Sequence, residues 1–300
     1  GSGNTALGRN ALRGNTTGSF NVAIGHYALC VANTGTGSTT ANVAVGGYAL
    51  GATTTGVHNT AVGTRSLVLN TIGTCNTAVG TNALSSTTIG GANTAVGISS
   101  MCANTTGAFN TAIGDCALQS NTIGCRNTAI GGETLISSIS GVNNVAVGNR
   151  ALCSQNGQSN NTAVGFGALC SNTTGGGLVA VGQGALCGNT IGICNSALGV
   201  NAAMANTSGN RNTVIGTDAL RSNTTGSYNV AVGSSALCNS NTGTTSNTAN
   251  VAVGGLTLGS TSTAIGNTAM GARAAANLTT GRYNVAFGSR ALLAATTGGY

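Results

Sequence analysis

Residues 59–97 read NTAVGTRSLVLNTIGTCNTAVGTNALSSTTIGGANTAVG. The pentapeptide NTAVG begins at Asn59, Asn76 and Asn93, each copy 17 residues after the last. A chain that repeats at a short fixed period builds its structure by stacking one unit on the next, so periodicity is read before anything else. Extending the register in both directions gives units starting at Asn4, Asn21, Asn42, Asn59, Asn76, Asn93, Asn110, Asn127, Asn144, Asn161, Leu178, Asn195, Asn212, Asn229, Asn250, Asn267 and Asn284. All are 17 residues long except those starting at Asn21 and Asn229, which have 21. The two long units share a template, so the array reads as a piece of something longer. The stretch STAIG at Ser262 also looks like a unit start, which leaves the register near Asn250 and Asn267 with two readings.

Numbered 1 to 17, the positions divide sharply. Position 1 is Asn in 16 of 17 units, position 3 is Ala in 16 (Val214 is the exception), and position 5 is always Gly. Position 4 is always apolar, position 9 is Leu or Met in 15 units, and position 15 is usually Gly. Glycine at 5 and 15 opens backbone conformations closed to other residues and marks two corners. Between the corners lie NTAV and xxAL, too short for helices and suited to strands. Each unit is therefore expected to form one coil with two short strands and two turns, paired in register with the next coil at about 4.8 Å. The expected fold is all-β: a parallel β-solenoid (β-roll or β-helix) of about 17 coils. It is expected to run as one array over residues 1–300, with four-residue turn insertions in the coils 21–41 and 229–249. The absence of Pro agrees, because strand N–H groups are all needed.

In-register stacking places Asn59, Asn76, Asn93, Asn110 and Asn127 in one column, where identical amides form a ladder. The alternative role is a turn cap through the residue's own backbone. Side chains alternate along a strand. Assigning the larger aliphatics at positions 4 and 9 to the interior points the alanines at 3 and 8 outward. A strand apolar on both faces is normally buried on both, so the Ala-lined faces are expected to pack against another copy. A bland exposed surface is the alternative.

Only 4% of the residues are charged, against about 25% in an ordinary domain. All thirteen fall at positions 6, 7, 10, 16 and 17. The ten basic residues are arginines scattered from Arg9 to Arg290, without a run and with few aromatics between them. Nucleic-acid binding is therefore not expected. No apolar stretch approaches the roughly 18 residues of a membrane span, and the first residues do not read as a signal peptide.

Six of the ten cysteines, Cys30, Cys102, Cys153, Cys170, Cys187 and Cys238, sit at position 10. Cys153, Cys170 and Cys187 occupy consecutive coils, so neighbours in that column have Cα atoms about 4.8 Å apart, inside the disulfide range. Three in a column leave one to stay reduced, pair elsewhere or bridge chains. There is no C-x-x-C pair, and His26 and His58 lie at unrelated positions, so neither a metal site nor a cofactor is expected. An oxidising setting is the expectation, with reduced intracellular thiols the alternative. Sequons offer possible glycosylation at Asn15, Asn104, Asn172, Asn206, Asn223 and Asn277, with a further one at Asn160. The other reading of NTTG is plain turn chemistry.

The three acids are Asp115, Glu133 and Asp218. Asp115 and Glu133 fall one coil apart at exposed corners, and Asp115 sits beside Cys116 with no His at the site. Neither a carboxylate pair in a cleft nor a Cys–His nucleophile is expected, so the chain does not read as an enzyme.

The unit NTAIGxxALxSNTTGxx, nearly intact at Asn110 and Asn212, resembles the repeat arrays of phage tail-fibre-like and bacterial surface fibre proteins. More weakly, it is similar to the head repeats of trimeric autotransporter adhesins, which are left-handed β-rolls with a shorter coil. The resemblance implies a left-handed coil and an extracellular fibre or adhesin shaft at a cell or virion surface. The expected role is a structural filament that assembles with copies of itself, end to end or through its Ala-lined faces. An adhesin or receptor-binding shaft meeting cell-surface glycans is the alternative. An ice-binding solenoid is a second, although Val22, Val43 and Val145 interrupt the Thr row at position 2 and position 4 is never Thr.

Overall fold

A computed structural model describes residues 1–31, 41–240 and 249–297. The described residues contain β-strands and turns and no helix. The chain divides into two compact units, Gly1–Asn149 and Arg150–Tyr300, and each is a parallel β-solenoid. The first holds nine three-residue strands, β1 (Thr5–Leu7) through β9 (Val145–Val147). The second holds eight, β10 (Thr162–Val164) through β17 (Val285–Phe287).

Within each unit every strand pairs parallel with the next at the same repeat position. Thr60 faces Thr77, Ala61 faces Ala78 and Val62 faces Val79. The spacing is kept across the two long coils, where Val22 pairs with Val43 and Val230 with Val251. The residues that carry the insertions themselves, 32–40 and 241–248, lie outside the described residues. The ambiguous stretch resolves in favour of Asn267: β16 (Thr268–Met270) pairs with β15 (Val251–Val253), while Ala264 and Ile265 belong to the corner before it.

Each coil contains one strand, not the two expected. Positions 2–4 are extended, as β-branched Thr, Val and Ile favour, and the strand ends at the glycine of position 5. That glycine adopts φ between 113° and 138° from coil to coil. A Cβ built on Gly63 would stand 2.6 Å from the carbonyl oxygen of Gly80 in the next coil, so the site excludes a side chain on two counts. The second segment, xxAL, does not return as a strand because positions 7 and 9 are left-handed: Asn82 and Leu84 have φ of 57° and 51°, Glu133 and Leu135 of 55° and 48°. Left-handed backbone costs a non-glycine residue about 1–2 kcal/mol. Bonds to both neighbouring coils offset it, with Asn82 N donating to Thr64 O and Leu84 N to Ser100 O, each at 3.0 Å.

That alternation determines what lies inside. In a strand, positions 8 and 9 would point to opposite faces; here both point inward. Ala83 and Leu84, Ala117 and Leu118, and Ala168 and Leu169 are all fully buried. The Leu row fills much of the interior and favours a small residue opposite, so the central residue of the strand is Ala in every coil but one; Ala61, Ala78, Ala95 and Ala112 are fully buried, and the exception, Val214, is buried too. The expectation for positions 3, 4 and 8 is thereby reversed, and only Leu at 9 keeps its expected place. Val62, Val79, Ile113 and Ile130 point outward with 37–39% of their surface exposed. From the second coil on, the position-3 residues are buried, so the described residues hold no Ala-lined outer face, and lateral packing through one is removed from consideration. Volume is conserved where the rule bends. In the coil from Asn267, position 9 shrinks to Ala275 while position 12 grows to Leu278, and both are buried.

This arrangement makes the two halves of one dipeptide respond oppositely to mutation. Ala78→Leu overfills the interior and is expected to cost about 1–3 kcal/mol or more. Val79→Thr, on the outer face, is expected to stay within about 0.5 kcal/mol. Urea unfolding of the two variants checks the difference.

Candidate functional site

The interior is polar along two lines. At position 1, Asn59, Asn76, Asn93, Asn110 and Asn127 stand in one column with at most 1% exposure. Each Oδ1 accepts the backbone N–H of the asparagine in the next coil, as from Asn93 to Asn76 at 3.0 Å and from Asn110 to Asn93 at 3.0 Å. It also accepts that residue's side-chain amide, as from Asn93 to Asn76 at 3.2 Å. The same Nδ2 reaches across its own coil to the position-15 carbonyl, as from Asn76 to Gly90 at 2.8 Å. The amide thus ties coil to coil and strand to opposite corner at once. Leu178 breaks the column in the second unit: its N–H still donates to Asn161 Oδ1 at 2.9 Å, but it offers no amide to the next coil.

A second column, at position 12, escaped the sequence reading because NTTG looks like an outer turn. Asn104, Asn121, Asn172, Asn189, Asn206 and Asn223 are fully buried. Asn206 Nδ2 donates to Asn189 Oδ1 at 2.8 Å and to Gly209 O at 3.0 Å. The clue is in the sequence, since position 12 is Asn, Ser or Thr in 13 of the 17 units. Four of the glycosylation candidates lie in this buried column. The amides of Asn104, Asn172, Asn206 and Asn223 face inward and donate to carbonyls, with no room for a sugar in the folded coil. Asn15 is half-buried with its amide on Gly18 O, and Asn277, at position 11, is exposed. Where the column passes from Asn to a hydroxyl it loses partners: Asn121 Oδ1 and Ser138 Oγ are both buried with none.

Chemistry-bearing side chains lie outside these columns. Asp115 and Glu133 are exposed at positions 6 and 7 of adjacent coils. Cys116 Sγ donates to Asp115 Oδ1 at 3.5 Å. Partial burial, then the neighbouring carboxylate, push the Cys116 thiol above its ordinary range, the opposite of nucleophile activation. Asp218 lies 3.9 Å from Arg221 on the surface. All ten cysteines are free thiols. At position 10 the sulfurs of Cys30, Cys102, Cys153 and Cys238 lie against carbonyls of the next coil, as Cys30 on Gly51 O and Cys238 on Gly259 O, both at 3.3 Å.

Two outward features remain. One is the outer face of the sheet, where Thr60, Thr77, Thr94, Thr111 and Thr128 form an in-register row beside Val62, Val79, Val96, Ile113 and Ile130. No charge enters either row. The other is a cleft of about 480 Å³ in the second unit, bordered by Arg273 and Arg290 with Ser234, Leu256 and Ser289. The two arginines are exposed, one coil apart, and no acid follows Asp218 in the chain. Among the described residues no helix is long and apolar enough to cross a membrane.

No protein-family model matches the chain, and no curated protein matches it.

The two polar columns give opposite mutational outcomes. Asn76→Ala strands Asn93 N–H and Gly90 O in the interior and is expected to cost about 3 kcal/mol. Ser138→Asn gives Asn121 Oδ1 a donor and is expected to gain about 1 kcal/mol. Thermal or urea unfolding measures both.

Proposed function

We propose that the protein is a structural element of an extracellular fibre, at a cell or virion surface, that associates with copies of itself and carries out no catalysis. The observation that supports this best is the constancy of the coil: the left-handed positions recur in every coil, and runs of successive coils repeat the same amide and the same outward Thr and Val/Ile rows. A surface that repeats along an axis without charge is matched most fully by another copy of itself. The route for lateral association is the outer face of the sheet. The cysteine-rich composition belongs to the same reading, since cystines persist outside the reducing cytosol.

Electron microscopy and light scattering over a concentration series test this. Filaments or bundles of constant width are expected, and Val62→Lys/Val79→Lys/Ile113→Lys is expected to disperse bundles while leaving the fold intact. Discrete monomers at every concentration overturn the reading, and thermal hysteresis in the same samples would assign the Thr row to ice instead.

One observation favours a second reading, an adhesin shaft. The Arg273–Arg290 cleft presents two guanidinium groups to solvent with no acid in the coils around it, which suits the sulfate, phosphate or carboxylate groups of an acidic glycan. Binding of a sulfated glycan that weakens with salt and falls at least tenfold in Arg273→Gln/Arg290→Gln is the expected result. Equal binding by the variant removes the cleft from consideration.

A further inference from the structure

Six coils carry cysteine at position 10, but only three of them are consecutive. Around Cys30, Cys102 and Cys238 the sulfur meets a carbonyl of a residue that is not cysteine, namely Gly51, Gln119 and Gly259. Around Cys153 it meets another thiol. Cys153 Sγ lies 2.8 Å from Cys170 Sγ, closer than non-bonded sulfurs normally rest. Backbone bonds hold the two coils in place on either side, with Ser154 N donating to Cys170 O at 3.1 Å and Ser171 N to Cys187 O at 3.0 Å. Cys153 is buried at 7% exposure, whereas Cys170 and Cys187 are half-buried.

We propose that Cys153 and Cys170 are a modification site at which a low-molecular-weight disulfide oxidises the pair to an intercoil cystine, with Cys187 left as a free thiol beside it. In the reaction one cysteine thiolate attacks the small disulfide and releases one small thiol. The second cysteine thiolate then displaces the other. Two protein S–H bonds are lost, one protein S–S bond forms, and the oxidant is reduced to two thiols, which take up the protons. The backbone need not move: coils about 4.8 Å apart place the Cα atoms within the disulfide range. Cys153 and Cys187 are two coils, or about 9.6 Å, apart and beyond that range.

The same surroundings make the reaction slow at neutral pH. Burial, and after it the Cys153 thiol, push the Cys170 thiol up to about 12; the Cys187 thiol adds to this and Arg150 opposes it. Burial and Cys153 also raise Cys187, against Arg150. Thiolate is the attacking species, so the rate is expected to rise with pH. Exposed Cys75 and Cys194 provide the contrast, as sites open to the oxidant with no cysteine in the adjacent coil at their position. The inference depends on the extracellular reading only for the natural source of oxidant, and the test supplies that oxidant directly.

The experiment treats the folded full chain with excess oxidised glutathione at pH 7 and pH 9 and maps the products by peptide mass spectrometry. Trypsin leaves the three column thiols and Cys194 on one peptide between Arg150 and Arg211, so a protease cutting after Phe166, Leu178 and Leu186 or Met204 is required. The expected product is a linked pair of peptides holding Cys153 and Cys170, two hydrogens lighter than the reduced pair. It should form faster at pH 9, with glutathione attached at Cys75 and Cys194. Cys187→Ser keeps the link, Cys170→Ser abolishes it without linking Cys153 to Cys187, and the oxidised chain melts a few degrees above the reduced one. Glutathione retained on Cys170, a Cys170–Cys187 link as the main product, or reduced Cys153 and Cys170 alongside fully modified Cys75 and Cys194 would each overturn the proposal. None of those results bears on whether the chain forms filaments.

Discussion

One hydrogen bond recurs through the fold: a side-chain amide oxygen at the start of one coil accepts the backbone N–H of the residue that starts the next. A parallel ladder of three-residue strands is a weak holder of register, because a slip of one coil position costs few backbone bonds. The buried asparagine removes that freedom. Its oxygen satisfies the next coil and its nitrogen satisfies the far corner of its own, so a register error leaves several polar groups stranded in a dry interior. Asparagine is suited to this role because it offers donor and acceptor on one short planar group without charge.

The rest of the cross-section follows from how thin the coil is. With amides at two corners and a leucine row on one wall, the strand opposite takes a small residue, Ala in every coil but that of Val214. The left-handed residues at positions 7 and 9 let two successive side chains, Ala and Leu, turn inward where a strand would expose one of them. Glycine at position 5 is demanded twice, by its dihedral angle and by the carbonyl of the next coil. The interior of such a coil is filled by these side chains, and functional groups are left to its outward positions.

Much of this was legible in the sequence and some was misleading. The period, the strand at positions 2–4, the glycine corner and the alignment of Asn59 with Asn76 can all be read from repetition, because stacking turns a sequence period into a spatial column. The wall at positions 6–10 could not be read: Leu, Arg, Glu and Cys carry left-handed backbone there, and no propensity announces it. That hidden geometry also explains why Ala78 lies inside and Val79 outside, against the rule that larger aliphatics are buried. Asn104 and Asn206 look like turn residues because their sequence, NTT or NTS, is common in turns; in the coil each is buried with its amide on the corner glycine three residues on. The thiol column was legible as spacing, but the contact between Cys153 and Cys170 required coordinates.

The claim on which this account depends is that Asn76 accepts a hydrogen bond from the coil that follows it. A trans-hydrogen-bond NMR coupling between the backbone nitrogen of Asn93 and the side-chain carbonyl carbon of Asn76, recorded on deuterated protein, reports that bond directly. The account predicts a resolved coupling for this pair and for the equivalent pair Asn110 and Asn93. Its absence from both, or a coupling from Asn93 to a residue at any spacing other than 17, would contradict the stacking and the interior built upon it.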